Sequence, residues 1–444
     1  MHLGYINESI PPQWVQPLLT DLVSPKQWKT LSTKDLLNEG YVVYGANGKI
    51  GFYKEFTHKN PTLMVTCRGA SCGNLHISEP YSYISGNAMA LDELPVNLVS
   101  IEFLKYALTD RGLKDTISGS AQPQITKQGL SEVRISLPSL AEQKSIVDKL
   151  NTLLTKVEQT KARLERIPEF LKAFRQSILS AAMSGKLTEE WRYKNTIPSP
   201  KEIQLGKIIN EGPQNGLYKS QSFYGQGIRI IRIDSFYNGE IVDWNSIKRL
   251  SLENSEYSRW KLEVGDILIN RVNSIEYLGK SAIVNELPEP AVFESNIMKF
   301  RVNPDKAIPE YIVKFLCSTT GLSQLRKNAK LAVNQASINQ QDVKNCIVFL
   351  PELSEQIEIV RRIEELFAFA DSIEQKANAA LERVNNLTQS ILTKAFRGDL
   401  TADWRAANPD LISGENSAES LLEKIKAERK ALEAAKKTRT RKNV

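Results

Sequence analysis

A chain of 444 residues, 41 % of them hydrophobic and with 14 Phe and 14 Tyr, has enough apolar material for two or three domains with cores of their own. Four cysteines supply no disulfide framework and no stretch approaches 18 consecutive apolar residues, which argues against a stapled secreted scaffold and a transmembrane helix. The net charge of +7, from 58 basic and 51 acidic residues, excludes a ribosomal- or histone-type excess, so a nucleic-acid ligand would need a local basic surface.

The opening MHLGYINESIPPQW has no basic region followed by an apolar run, so no secretion signal is expected and the expected compartment is the cytoplasm. Residues 1–136 form a first mixed unit. Strand-like runs at 41–44, 63–66 and 81–84 are separated by glycine-rich turns. Asn47-Gly48 between strand-like flanks is a hairpin signal. The loop 67–74, CRGASCGN, follows an apolar strand and carries Arg68, Ser71 and Asn74. An amphipathic helix is expected over 98–109, ending near Arg111-Gly112. A polar loop, 118–124, then leads to a last strand over 133–137. Residues 137–192 read as a long helical region, and 193–200, YKNTIPSP, as a linker. Residues 201–349 form a second mixed unit. It has a strand at 227–234, another from 262 ending in the polar tip Asn270, Arg271, Asn273 and Ser274, a helix at 309–317, a polar loop at 334–337 and a strand at 346–350. Residues 350–435 are helical again, including a stretch at 418–435, and 436–444 form a basic tail whose KKTRTRK suits a solvated end or a weak phosphate contact.

The helical regions are one unit used twice. LPSLAEQKSIVDKL with FRQSILSAAMSGKLTEEWR returns 213 residues later as LPELSEQIEIVRRI with LTQSILTKAFRGDLTADWR, without a gap. Pro138/Pro351, Glu142/Glu355, Gln143/Gln356, Gly185/Gly398 and Trp191/Trp404 are identical across the copies. In each copy apolar residues recur at alternating steps of four and three, from Ile146 to Ile178 and from Ile359 to Ile391: a heptad seam that needs a partner. The other copy is the nearest candidate, and each could also fold back on itself. Pro168 predicts a kink or a short break in the first copy. The mixed units echo one another more faintly: Gly86-Asn-Ala-Met89 matches Ser295-Asn-Ile-Met298, and both units end in a helix, a Gln-containing loop and a strand running into Leu-Pro. The whole is a tandem duplication of α+β character.

No GxxxxGK-S/T segment, no Asn/Asp-Pro-Pro-Tyr motif and no glycine-rich AdoMet loop is present, and three histidines are few for a His-based site. Cys67, Cys72 and His76 lack a fourth ligand at zinc spacing. Two polar-tipped units on a repeated helical scaffold suit a targeting device better than a catalyst. A coiled-coil scaffold or adaptor without sequence-specific DNA recognition is the alternative. A self-contained nuclease or methyltransferase would contradict the missing motifs.

The two LP…EQ segments, with GDILINRVNS and YGANGKIGFY in the variable units, resemble the specificity subunits of type I restriction-modification enzymes of the enteric bacterial kind, over essentially the full chain. The resemblance implies two target recognition domains, 1–136 and 201–349, each reading one half of a split, asymmetric double-stranded DNA target. The helical regions would pair as an antiparallel coiled coil that sets the spacer. It implies two modification subunits that bring AdoMet and methylate adenine, restriction subunits that bring ATP-driven, Mg2+-dependent translocation and cleavage, no membrane, and no cofactor or metal on this chain. Reading bases needs side chains with fixed donor and acceptor patterns. The candidates are Asn47, Lys49, Arg68, Ser71, Asn74, Gln122 and Gln124 in the first unit, and Arg229, Arg232, Asn270, Arg271, Asn273, Ser274 and Gln335 in the second. Trp191-Arg192 and Trp404-Arg405 suit equally a contact with the modification subunit and a cap of the rod on its own chain.

Overall fold

A computed structural model describes residues 9–46, 48–69, 71–119, 123–333 and 335–442, and side chains as far as 435. The chain divides into two compact units that are interleaved along the sequence. Residues 1–164 and 380–444 make the first, and 165–379 the second. Each unit therefore holds one mixed region and pieces of both helical repeats.

The mixed region of the first unit is built on a four-stranded antiparallel sheet in the order Ser24–Gln27, Ala88–Asp92, Leu63–Thr66, Leu75–Ile77. One of its two inner strands, Leu-Met-Val-Thr at Leu63–Thr66, is buried on both faces. Side chains alternate along a strand, so Leu63 and Val65 enter one core with helix Ile101–Arg111, while Met64 enters a second with Tyr44 and Ile84. A second sheet places Tyr41–Gly45 between Gly48–Tyr53, antiparallel, and Tyr83–Ile84, parallel. The helix starts where the Ser100 hydroxyl accepts from the Phe103 N–H and stops at Gly112, whose φ is +68°.

The second unit repeats this plan. Its main sheet runs Ile209–Asn215, Ile297–Val302, Ile267–Asn270, Ser281–Ile283 with antiparallel pairing, then adds Gly239–Ile241 and Phe236–Tyr237. The smaller sheet again has a middle strand, Tyr224–Ile231, with one antiparallel neighbour (Arg249–Leu250) and one parallel neighbour (Ala291–Phe293). Ile267 and Ile269 face the core under helix Pro309–Cys317, and Leu268 faces the other side. The strand expected at 133–137 is two isolated bridges, Leu18 with Arg134 and Val15 with Leu137. The strand at 347–350 does form, paired with Lys201–Gln204.

The first helical copy is Leu140–Glu165 followed by Ile167–Met183. The break is the single residue Arg166, with Pro168 in the first turn of the second piece, where its missing N–H costs no helical bond. The second copy, with no proline, is the unbroken helix Leu353–Phe396. In the first unit Ile146 and Leu150 share a core with Leu392, Ala395 and Phe396. In the second, Ile178, Leu179, Ala182 and Met183 share one with Ile359, Val360 and Ile363. In both units, therefore, the start of one copy meets the end of the other, the antiparallel arrangement. The seam holds at Val157, Leu171, Ala370, Ala377 and Val384 but not at the equivalent pair Phe174 and Leu387, which are 37 % and 44 % exposed. Beyond Ile178 and Ile391 the buried face rotates to Leu179, Ala182 and Met183, and to Leu392, Ala395 and Phe396, because there each helix packs on a mixed domain as well as on a helix. The last helix, Ala418–Lys442, contributes Leu421 and Ile425 to the first core, and Arg429 donates to Ser24 Oγ at 2.9 Å.

The repeated Glu-Gln pair closes each unit. Glu355, fully buried, accepts from the Thr188 hydroxyl at 2.7 Å and from Arg192 Nε at 2.9 Å, while Arg192 Nη2 donates to the Gly185 carbonyl. Glu142 accepts from Thr401 and Arg405, both at 2.6 Å, and from Trp14 Nε1 at 2.9 Å, while Arg405 Nη2 donates to the Gly398 carbonyl. Gly185 and Gly398 have φ of +74° and +81°, and an added Cβ would press on the arginine at 2.9 and 3.0 Å. The neighbouring glutamines hold the mixed domains. Gln143 accepts from the Ser100 N–H, and Gln356 from the Ile308 N–H, each at the start of a domain helix. No helix among the described residues is long and apolar enough to cross a membrane.

Candidate nucleic-acid interface

Each unit presents a polar tip where its central strand ends, and the two tips share a backbone scheme. In the first unit the Thr66 N–H donates to the Asn74 carbonyl and the Gly73 N–H to the Thr66 carbonyl, both at 2.8 Å, which closes the loop between them. The Cys67 N–H donates to the Asn87 carbonyl, and the Cys67 carbonyl accepts from Ile125 N–H. In the second unit the Asn270 N–H donates to Lys280, Gly279 N–H to Asn270, Arg271 N–H to Asn296, and the Arg271 carbonyl accepts from Ile338 N–H, at 2.8–2.9 Å. Thr66 thus corresponds to Asn270, Cys67 to Arg271, Gly73 to Gly279 and Asn74 to Lys280. Gly73 and Gly279 have φ of +96° and +78°, which glycine adopts freely at these turns.

A turn from the smaller sheet closes on each tip. The Ala46 carbonyl accepts from Thr66 Oγ1 at 2.7 Å and from Ser71 Oγ at 3.0 Å. The Ile233 carbonyl accepts from Asn270 Nδ2 at 3.4 Å and Lys280 Nζ at 2.7 Å. A third segment completes the tip. In the first unit Arg68 forms a bridge with Gln124, and Gly69 N–H donates to Pro123. In the second, Val272–Asn273 pairs with Gln335–Ser337, the inner strand of a hairpin with Lys330–Ala332.

The described candidates of the first unit therefore gather at one place. Lys49, Arg68, Asn74 and Gln124 are exposed, and Ser71 is half-buried with its hydroxyl on Ala46. Lys49 pairs with Glu79 at 2.5 Å, which raises its pKa. Asn47 and Gln122 lie outside the described residues. In the second unit Asn273, Ser274 and Gln335 line the tip, with Ser274 and Gln335 exposed. Arg271 is half-buried there and donates from Nη1 to the Ser295 carbonyl at 3.0 Å. Three others serve the fold more than the surface. Arg229, expected to face DNA, is 7 % exposed and donates to the Trp244 carbonyl and to Glu289. Its place in the middle strand of the smaller sheet turns it inward. Asn270 is fully buried and holds the turn at Ile233, and Arg232 pairs with Glu294 at 3.4 Å. Arg192 and Arg405 are engaged by the buried glutamates Glu355 and Glu142. Trp191 and Trp404 are half-buried on the short helices Glu189–Lys194 and Ala402–Ala407.

Lys280 was not among the candidates. It stands 3.6 Å over the Tyr237 ring, and burial lowers its pKa from 10.5 to about 8. Its equivalence to Asn74 runs through backbone hydrogen bonds to Asn270 and Thr66, and its side-chain bond to the Ile233 carbonyl spans 47 residues, so no shared residue pattern marks it. Burial also pushes up the thiols of Cys67 and Cys72 and lowers the pKa of His76. Among the described residues no group of three or more His, Cys, Asp or Glu side chains is placed to hold a metal.

Two copies of one α/β plan, each with a polar tip and joined by a helical element used twice, define a recognition subunit. The family model described as the type I restriction modification DNA specificity domain matches residues 11–169 and 203–383. The type I restriction enzyme EcoKI specificity subunit of Escherichia coli (strain K12) is 40 % identical over 424 residues, covering 95 % of this chain and 87 % of that protein. The StySPI specificity subunit of Salmonella potsdam is 38 % identical over 425 residues, covering 95 % and 88 %. The solved HsdS subunit from Thermoanaerobacter tengcongensis shares the fold at a TM-score of 0.55 and 17 % identity, over 88 % of this chain and 98 % of that one. A chain from a structural study of assembly and conformational transition of the type I R-M system shares it at 0.62 and 16 %, over 88 % and 99 %. The chain belongs to the specificity subunits of type I restriction-modification enzymes, the non-catalytic, DNA-recognising members of those complexes.

Proposed function

We propose that the two tips read the two halves of a split, asymmetric DNA target, and that this chain directs adenine methylation and restriction by partner subunits. The tip to which residues 46, 48–49, 67–69, 71–74, 118–119 and 123–124 contribute takes one half-site, and that formed by 232–237, 270–280 and 335–337 takes the other. The observation that carries the reading is one backbone scheme dressed with different side chains. Thr66, Cys67 and Asn74 in one tip stand where Asn270, Arg271 and Lys280 stand in the other. Equal scaffolds set equal approaches to the duplex, and unequal donors and acceptors select unequal bases. Arg68 and Arg271 suit guanine or phosphate, and Asn74, Asn273 and Gln335 suit adenine. Two modification subunits, one for each half of the duplicated chain, bring AdoMet, and restriction subunits bring ATP and Mg2+.

The test is base-resolution mapping of adenine methylation in cells that carry this chain with a compatible modification subunit. One split motif that disappears when the chain is removed supports the reading. Methylation indifferent to the chain, with the complex assembled and active, refutes it in favour of a scaffold.

A further inference from the structure

We propose that Asp234 is a specificity-determining residue of the second tip, its carboxylate accepting a hydrogen bond from the exocyclic N4 amino group of a cytosine in the major groove. The inference rests on the two-tip reading above and adds a residue and a base to it.

Position is the first argument. The Ile233 carbonyl takes two side-chain donors from the end of the central strand and its loop, Asn270 Nδ2 and Lys280 Nζ, as the Ala46 carbonyl takes Thr66 Oγ1 and Ser71 Oγ. The residue that follows in sequence is Asn47 in the first unit and Asp234 in the second. Both turns are thus pinned at the residue before it, and Asp234 sits at the second tip beside Asn270 and Lys280.

Charge is the second argument. Asp234 is exposed, and among the described residues no hydrogen bond or ion pair engages its carboxylate. The neighbouring cations are committed elsewhere. Arg232 pairs with Glu294, Arg271 Nη1 donates to Ser295, and Lys280 Nζ donates to Ile233 above the Tyr237 ring. A free carboxylate on a surface that approaches phosphates is repelled unless it meets a donor. In the major groove that donor is an exocyclic amino group. Adenine sets its N7 acceptor beside N6, which opposes a second carboxylate oxygen, whereas cytosine offers its N4 donor as its only hydrogen-bonding group there. Lys280, bonded through Nζ to the carbonyl of the preceding Ile233, acts favourably on the Asp234 charge and offsets part of the cost of bringing it to DNA, against the like charge of Glu294.

The experiment expresses the full chain as wild type, Asp234→Ala, Asp234→Asn and Arg271→Ala with a compatible modification subunit, and maps adenine methylation at base resolution. Thermal melting checks that the exposed substitution leaves the fold intact. We expect Asp234→Ala to relax one cytosine position by roughly 5- to 150-fold, the range of one specific base contact. That position lies in the half-site that Arg271→Ala also disturbs, and the other half-site is unchanged. Asp234→Asn, which carries a donor beside its acceptor, shifts that position toward adenine. An unchanged motif in Asp234→Ala overturns the proposal, as does a uniform loss of the half-site with no bias at one base. A wild-type chain that yields no split motif refutes the underlying reading instead.

Discussion

Replacing Glu355 with alanine strands two buried donors. The carboxylate is fully buried and receives Thr188 Oγ1 at 2.7 Å and Arg192 Nε at 2.9 Å. After truncation the Arg192 side chain, only 15 % exposed, keeps its bond to the Gly185 carbonyl but loses its counter-ion. Removing one partner of a buried pair costs about 3–5 kcal/mol, because the remaining charge stays desolvated. For a unit of this size each kcal/mol moves the midpoint by roughly 2–4 °C, so the transition of residues 165–379 should fall by roughly 6–20 °C. The assay is calorimetry on the full chain. Hydrogen exchange at amides 185–192 and 353–363 assigns the transition, since a chain of two units need not melt in one step. The double variant Glu355→Ala with Arg192→Ala should lose less than the two singles together, by at least about 1 kcal/mol, because no lone charge remains. A single variant that melts within about 2 °C of wild type, or strict additivity, would refute the claim that this ion pair closes the unit.

Further outcomes follow from the tips. Arg271→Ala should abolish recognition of one half-site without unfolding the chain, at the modest cost of its bond to the Ser295 carbonyl, and normal methylation of the wild-type motif by a folded variant would contradict the assignment. Arg229→Ala should instead destabilise the second unit by about 1.5–3 kcal/mol, the range for hydrogen bonds to charged groups, and a melt equal to wild type would return Arg229 to the list of DNA contacts. Arg68→Ala, at an exposed site, should change stability by less than about 0.5 kcal/mol and weaken the first half-site, measured by melting and methylation side by side. Lys280 has a folded pKa of about 8, depressed by burial, against an ordinary 10.5. Between those values the unfolded chain binds more protons, so the wild type should gain stability relative to Lys280→Met as pH rises from 8 toward 10.5, and lose that gain on return to pH 8. Midpoints of both proteins across that range check the sign, and a flat difference would contradict it.

Much of this architecture is legible in the chain because it is local or repeated. The 213-residue offset marks the duplication, the alternation of four and three marks the helices, and Asn47-Gly48 marks the hairpin between Tyr41–Gly45 and Gly48–Tyr53. Pro168 announces the interruption that the structure places at Arg166. The tips were legible as loops, since polar residues after buried strands must turn toward water. Which of their side chains reach water was not. Arg229 alternates with Ile231 in the sequence, and alternation assigns a face of a strand without saying whether that face is covered. The Trp244 carbonyl and the Glu289 carboxylate, which lie outside that strand, take the Arg229 guanidinium and cover it.

By itself, then, the sequence determined that one helical unit and one mixed unit each occur twice, and the type and approximate place of most of their elements and polar loops, because propensity, capping and periodicity act over a few residues. Only the tertiary structure decided the partners. Glu142 closes on Arg405 and Glu355 on Arg192, across separations of 263 and 163 residues. The seam leaves Phe174 and Leu387 exposed, and Ile233 and Lys280 meet across 47 residues to build a tip. A long-range contact depends on which surfaces remain to be buried after every local element has formed, and that competition is settled by packing of the whole unit.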